Sequence, residues 1–391
     1  MSSVYLDHAA TTPIAPEVLT HFTALLQEGV ANSSSSHRDG TRALALLQQA
    51  RETVAAKLGC DPIEIIFTSG GTESSNWVLQ RVLQDSAISF GARGIKPHFI
   101  TSSIEHSSVA AVAEWLNKTG NFDWTELKAE ADGTVAVRSL ERAIKSNTVL
   151  VSVMHANNEI GTIQDLQSLG LVCRANDVLF HADACQSFCH TPFNVSELPV
   201  DFMSLSGHKI RAPKGVGAIY VRKGLELSPL MFGGKQERGL RPGTTSVELI
   251  SAFAAATELW NESVVNSMLE LREYAVSQIK KNFEGVRING VDGEAASSVR
   301  GSSLCHVLSF TLPDVHSKDV HRALSLEGVA CSTGAACGTE KSDSSAVLLG
   351  LGREPKDAHQ IRISFSPTTD TRLIDVFIGR LMKVLKSLRT K

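Results

Sequence analysis

The sequence predicts an α/β fold built on a largely parallel sheet. Short apolar, β-rich runs alternate with helical segments through the first two thirds of the chain, the pattern of strand–crossover–strand units. Several of these runs stop at glycine or a small polar cluster just before a helix begins, where open α/β sheets place their ligands. At 391 residues the chain can bury a substantial core, and its length favours about two or three domains.

Taken in order, Leu44, Leu47, Val54 and Leu58 recur at helical spacing and Gly59 follows as a stop signal, which predicts a helix over about 39–58. "EIIFTSGGTESSNW" reads as an apolar strand, a glycine turn and a helix start. "PHFITSS", "TVLVSVMH", "VLFHADA", "DFMSLS" and "GAIYVR" are further strands. From Val247 to Lys281 the pattern is one long helical stretch rich in Ala, Leu and Glu, of the kind that carries a chain from one domain into another. The boundary is therefore placed near 260, with a large domain over 16–259 and a smaller α+β domain made of 1–15 and 260–391. In the latter, "LCHVLSFTL" is a strand and "SKDVHRALSLEG" a helix. The small-residue run "CSTGAACGTEKSD" follows, then the strand "QIRISFS" and a C-terminal amphipathic helix ending in Lys and Arg. There are no internal repeats or low-complexity segments.

Composition removes several classes of function. Charged residues are 20% of the chain and the net charge is -3, so neither a basic nucleic-acid surface nor an acidic tail is expected. No apolar run approaches the roughly 18 residues of a membrane span. "MSSVYLDHAATTP" has neither an apolar signal core nor an arginine-rich transit pattern, which predicts a cytoplasmic protein. The seven cysteines are scattered without a CxxC pair, against a disulfide framework or a zinc site, and no metal is expected. Most should be small, inert core residues.

The chemistry-bearing residues cluster at strand ends. In "SLSGHKIRAPKG", Lys209 follows an apolar strand between Ser206 and His208, placed to hold a phosphate-bearing aldehyde as a Schiff base. A surface loop lysine is the ordinary alternative. In "HADACQS", Asp183 ends another strand and needs a partner: a pyridinium N–H, an arginine or a helix N-terminus would each serve. Gln186 can bond a phenolic oxygen nearby. "TSGGTES" offers backbone N–H groups and a helix dipole to a phosphate, and lacks the GK[ST] of a Walker loop. His106 in "SSIEHSSV" and Asn157 and Asn158 in "MHANNEIG" lie at two more strand ends. Arg362, within the β-pattern "QIRISFS", must find an anion: a substrate carboxylate that fits its fork, or a structural acid. Together these residues make up the parts list of a pyridoxal phosphate enzyme acting on an amino acid.

Nine stretches, in order, resemble the motifs of the cysteine desulfurase and selenocysteine lyase family, within the class V aminotransferases of PLP fold type I. They are "YLDHAATTP", "IIFTSGGTES", "IEHSSV", "NNEIGTIQDL", "HADACQS", "SGHKIRAPKGVGAIYVR", "GGKQERGLRPGT", "GAACG" and "IRISFS". The resemblance runs from residue 4 to the C-terminal helix and implies a large domain on a mostly parallel seven-stranded sheet. It implies pyridoxal 5'-phosphate on Lys209 as an aldimine, with Asp183 on the ring nitrogen, Gln186 on the ring hydroxyl and His106 stacked on the ring and moving protons. Gly71, Thr72, Ser206 and His208 would hold the phosphate, Thr244 would reach the partner subunit's phosphate, and Asn158 and Arg362 the substrate carboxylate. Cys337 would be the nucleophile, on a mobile loop over about 331–345. A homodimer, and an acceptor protein for the sulfur or selenium, are implied as partners.

The implied reaction removes sulfur or selenium from L-cysteine or L-selenocysteine and leaves L-alanine. "KPHFITSS", "RPGT" and the charged residues after "GAAC" lean toward the eukaryotic selenocysteine lyase branch. The alternatives are another class V reaction that needs no thiol, or a catalytically silent scaffold. Three departures from the motifs stand out: Asn32-Ser33-Ser34-Ser35 where Asn-Pro-Ser-Ser is usual, Cys185 in place of Thr or Ala, and Cys331 in place of Ser. Cys331 is expected to be a bystander.

Overall fold

The computed structural model describes residues 3–91, 94–291, 303–313, 315–334 and 344–389. Cys337 lies outside the described residues. The elements run β1 (Val4–Tyr5), α1 (Pro16–Glu28), α2 (Arg38–Leu58), β2 (Ile65–Thr68), α3 (Gly71–Gly91), β3 (His98–Ser102), α4 (Ser107–Lys118), β4 (Asp123–Leu127), α5 (Val137–Ala143), β5 (Thr148–Ser152), α6 (Leu166–Ala175), β6 (Leu179–Asp183), β7 (Phe202–Ser206) and β8 (Gly217–Val221). After these come α7 (Val247–Glu258), α8 (Glu262–Asn282), β9 (Arg287–Ile288), β10 (Val307–Thr311), α9 (Ser317–Leu326), β11 (Val329–Ala330), α10 (Ala346–Gly350), β12 (Ile361–Ser364) and α11 (Thr371–Arg389).

A seven-stranded sheet forms the centre, in the order β2-β8-β7-β6-β5-β3-β4. Only β8 runs against its neighbours. The carboxyl ends of β2, β3, β5, β6 and β7 therefore share one edge, where the chain leaves the sheet and backbone groups are free to meet a ligand. Strands β7 and β8 are buried along their whole length, which is why they read as unbroken apolar runs. The edge strand β4, "DWTEL", is half polar and half exposed, and the sequence reading passed over it. A smaller antiparallel sheet has the order β12-β10-β9, and β1 pairs in parallel with β11, which joins the N-terminal residues to the far end of the chain.

Helix α2 begins within a residue of its predicted start. His37 caps it by accepting from the Gly40 N–H, and Gly59, at φ +79°, closes it in the left-handed conformation that a residue without Cβ adopts freely. The long helix expected over Val247–Lys281 is instead two helices. Trp260 is buried between them and donates its indole N–H to the Ile210 carbonyl at 3.0 Å. Asn261 then starts α8 afresh by accepting from the Val264 N–H at 3.0 Å. Burying the indole outweighs continuing the helix, whose loss costs only a few backbone bonds that Asn261 replaces.

Candidate active site

Lys209 sits on a single turn (Gly207–Lys209) directly after β7. A Cβ on Gly207 would press on Val216 and Phe253 at 3.0 and 3.1 Å, so the turn packs closely on the core. The Lys209 ammonium donates to the Ala9 carbonyl at 2.6 Å and the Ala10 carbonyl at 2.9 Å. The N-terminal segment is clamped over this turn: Thr12 Oγ1 donates to the His208 carbonyl at 2.8 Å and accepts from the Arg211 N–H at 2.9 Å. Thr11 Oγ1 and His208 Nδ1 lie 3.1 Å apart. Local sequence patterns did not mark residues 9–12 as part of the site, because their contribution is mostly backbone.

Asp183 ends β6, is buried, and accepts from the Cys185 N–H at 2.9 Å. Gln186 donates to the same Ala9 carbonyl as Lys209, at 2.9 Å, and its Oε1 lies 3.0 Å from His306 Nε2. His306 is fully covered and stacks on His190 with ring centroids 3.8 Å apart. Burial, and then the neighbouring His190 and Lys209, hold the His306 imidazole well below its ordinary range, so it is neutral. Sequence reasoning missed both histidines. The available signal was a polar residue inside the apolar run "LCHVLSF".

The first turn of α3 begins at Gly71, where the sequence predicts a phosphate cradle. A Cβ on Gly71 would collide with the Cys185 thiol and approach Ser206, so only glycine lets the helix N-terminus come this close to β6 and β7. His106 caps α4: its Nδ1 accepts from the Ser108 N–H at 3.1 Å and lies 2.8 Å from Ser108 Oγ. With Nδ1 an acceptor, the ring proton is on Nε2. Burial lowers the His106 pKa, Asp183 opposes the shift and Lys209 adds to it, which places all three groups within electrostatic reach. His208 is pushed down to about 4 by burial, Lys209, Lys214 and His106. Behind them Glu105 is fully covered, accepts from the Met154 N–H at 2.9 Å and from Ser102, and is pushed up to about 8 by burial.

Arg362 finds its anion in Asp7, with Nη2 at 2.7 Å from Oδ1, while Nη1 donates to the Asn158 carbonyl at 2.9 Å. Its buried Nε has no partner among the described residues. Asn158 thus takes part through its backbone, and the Asn157 side chain is occupied in shaping the turn, accepting from the Glu159 and Ile160 N–H groups at 2.8 and 3.0 Å. Thr72 is exposed beside Asn76 and Ser108, and Thr244 is exposed on a cavity of about 150 Å³ that it shares with Ser69 and Arg241. Cys331 is buried and its thiol pushed up to about 12 by burial, so it is inert.

These groups fit pyridoxal 5'-phosphate. A turn lysine, an acid at a neighbouring strand end, an imidazole beside both and a helix N-terminus stripped of its first Cβ meet on one sheet edge, next to a buried arginine nitrogen in need of an acceptor. The chain is 37% identical over 391 residues to the cysteine desulfurase IscS of Dictyoglomus turgidum, covering 99% of this chain and 95% of that protein. It is 36% identical to the mitosomal cysteine desulfurase of Encephalitozoon cuniculi, covering 99% and 87%. Among solved structures, a NifS-like protein superposes with a TM-score of 0.87 at 34% identity, covering 98% of this chain and all of that one. The structure described as SspA in complex with cysteine superposes with a TM-score of 0.81 at 34% identity, over 94% of this chain and 100% of that one. The aminotransferase class-V profile matches residues 4–377, and on this evidence the chain belongs to the class-V aminotransferase family.

Proposed function

We propose that the protein removes sulfur from L-cysteine, with pyridoxal 5'-phosphate as cofactor, leaving L-alanine and carrying the sulfur on Cys337. The observation that carries this reading is the convergence of Lys209, Asp183, His106 and Arg362 on the strand-end edge, with Ser332, at the head of "STGAAC", hydrogen-bonded to the Arg362 backbone at 2.7 and 3.0 Å. That pairing starts the segment bearing Cys337 beside the residue suited to a substrate carboxylate. The desulfurase relatives and the cysteine complex of a similar chain support the choice of substrate.

When bound, the cofactor supplies an aldehyde for amine condensation and an electron-withdrawing ring. The protein's own groups do the rest. Asp183 would hold a proton at the ring nitrogen and Gln186 would bond the ring hydroxyl. Gly71, Thr72, Ser206 and His208 would cradle the phosphate, and neutral His208 would add a donor without competing charge. Lys209 would hold the cofactor at rest and, with its amine free, would serve as a base for the substrate Cα proton; His106 would share that role through Nε2. Arg362 exchanges Asp7 for the substrate carboxylate, helped by Asn158. The Cys337 thiolate attacks the substrate sulfur: an S–S bond forms, the Cβ–S bond breaks, its electron pair stays on carbon, and a proton there completes alanine.

We further place the working unit as a homodimer, in which the exposed Thr244 reaches the partner subunit's phosphate, and expect an acceptor protein for the persulfide. Residues 16–259 would form the cofactor-holding domain, and 1–15 with 260–391 the domain that presents Cys337. Six described cysteines are all free, which supports a reducing, cytoplasmic setting. Alanine release from cysteine and from selenocysteine by wild type and Cys337→Ala tests the reading. Cys337→Ala is expected to lower the cysteine reaction by about a hundredfold or more. Wild type that releases alanine from neither substrate would overturn it.

A further inference from the structure

The reaction read above leaves several buried acids unused, Glu159 among them. Glu159 is 7% exposed and follows Asn158 in the same turn. Its Oε2 accepts from Ser345 Oγ at 2.6 Å and from Gln360 Nε2. After Gly334 the chain is next described at Ser344, directly before Ser345, and Gly334 packs on the same spot: a Cβ there would collide with Gln360 Nε2 and Glu159 Oε2. Gly334 adopts φ +85° and donates its N–H to Ser332 Oγ at 3.1 Å, and Ser332 is paired with Arg362. Ser345 in turn caps α10 and donates its N–H to the Ala358 carbonyl at 2.8 Å. Both ends of the stretch that carries Cys337 thus close on one carboxyl, and the turn holding that carboxyl also receives Arg362 through Asn158.

We propose that Glu159 is a positioning residue for sulfur transfer, fixing the two ends of the Cys337 segment to the turn that orients Arg362. The inference rests on the thiol role proposed for Cys337. A buried acid is costly where apolar packing would serve, and burial pushes this one up to about 7 against the pull of Ser345, Arg362 and Gln360. What it provides is closure. With Gly334 and Ser345 both held on one carboxyl, the points between which the thiol segment runs are set relative to Arg362.

The test uses the holoenzyme of wild type, Glu159→Ala, Glu159→Gln, Ser345→Ala and Cys337→Ala. Glu159→Ala is expected to lower kcat for alanine release about tenfold or more, as for other misplaced reacting groups, with KM for cysteine and the response of the cofactor's visible band to cysteine unchanged. Ser345→Ala should move kcat the same way, and Glu159→Gln, which keeps the shape and one acceptor, should recover most of it. In both alanine variants the rate of iodoacetamide alkylation at Cys337, followed by peptide mass spectrometry, should change while that at Cys60 does not. Unchanged kcat and unchanged Cys337 alkylation in Glu159→Ala overturn the proposal, as does a loss of kcat that only follows lost cofactor. If Cys337→Ala keeps full turnover, the thiol reading fails and the clasp with it. If Cys337→Ala is inactive and the Glu159 variants are normal, the clasp alone fails.

Discussion

At the scale of single residues, the site depends on side chains that are missing as much as on those present. Gly71 leaves the space that Cys185 fills, so the two positions should be coupled. Gly71→Ala is expected to weaken cofactor binding about tenfold, the cost of overpacking a close contact, and a Cys185→Ala background should restore most of it. Titrating the cofactor's visible absorbance in the four proteins checks this. A second residue-scale case lies away from the site. Arg51 and Glu237 form a buried bidentate pair, with oxygen–nitrogen distances of 2.6 and 2.8 Å, and Glu237 also accepts from the Phe67 N–H at 3.0 Å. Glu237→Gln leaves a buried guanidinium uncompensated and should cost about 3–5 kcal/mol in urea unfolding.

At the scale of elements, the break between α7 and α8 braces the lysine turn. Trp260 holds the carbonyl of Ile210, the residue after Lys209, and its ring packs edge-on against His190. Trp260→Phe keeps most of the packing and should lose about 1 kcal/mol with the hydrogen bond, whereas Trp260→Ala should lose about 3–5 kcal/mol. The melting temperature read in both variants separates the two contributions. Asn261 was a visible helix-start residue inside the long helical pattern, yet Ala-, Leu- and Glu-rich flanks masked it. A cap is decisive only once a neighbour such as Ile210 gives the preceding residue a reason to leave the helix.

At the scale of the molecule, the core carries neutral histidines that make stability depend on pH. His155 and His181 are both buried and held at about 4, against 6.5 when exposed, by burial. His181 lies between Ser152 and Ser204, bridging β5 and β7 from β6. Each is neutral when folded, so the unfolded chain binds the extra proton between 6.5 and about 4. Their contribution is complete above 6.5 and is lost as pH falls through that window, by about 1.4 kcal/mol per unit for each group. Glu105, raised to about 8, acts in the opposite direction, its contribution declining as pH rises from 4.5 to about 8. Unfolding midpoints from pH 7 to 5 should fall, and His155→Phe should flatten the slope.

The sequence by itself determined the class of fold and pointed to most of the candidate groups, because both are written locally. Apolar runs of strand length specify the buried strands, and the residues at or a few positions past their ends (Asp183, His106, Lys209 and Gly71) land on the sheet's carboxyl edge whatever the rest of the chain does. Tertiary structure decided what those groups touch. Asp7 and Arg362 pair across 355 positions, the Ala9 carbonyl receives both Lys209 and Gln186, and His306 backs Gln186 across 120. Such contacts leave no periodic trace, since they arise only when crossover connections bring distant strand ends together. That Arg362 meets the protein acid Asp7, and the Asn158 carbonyl beside it, is set by that geometry, not by residue type.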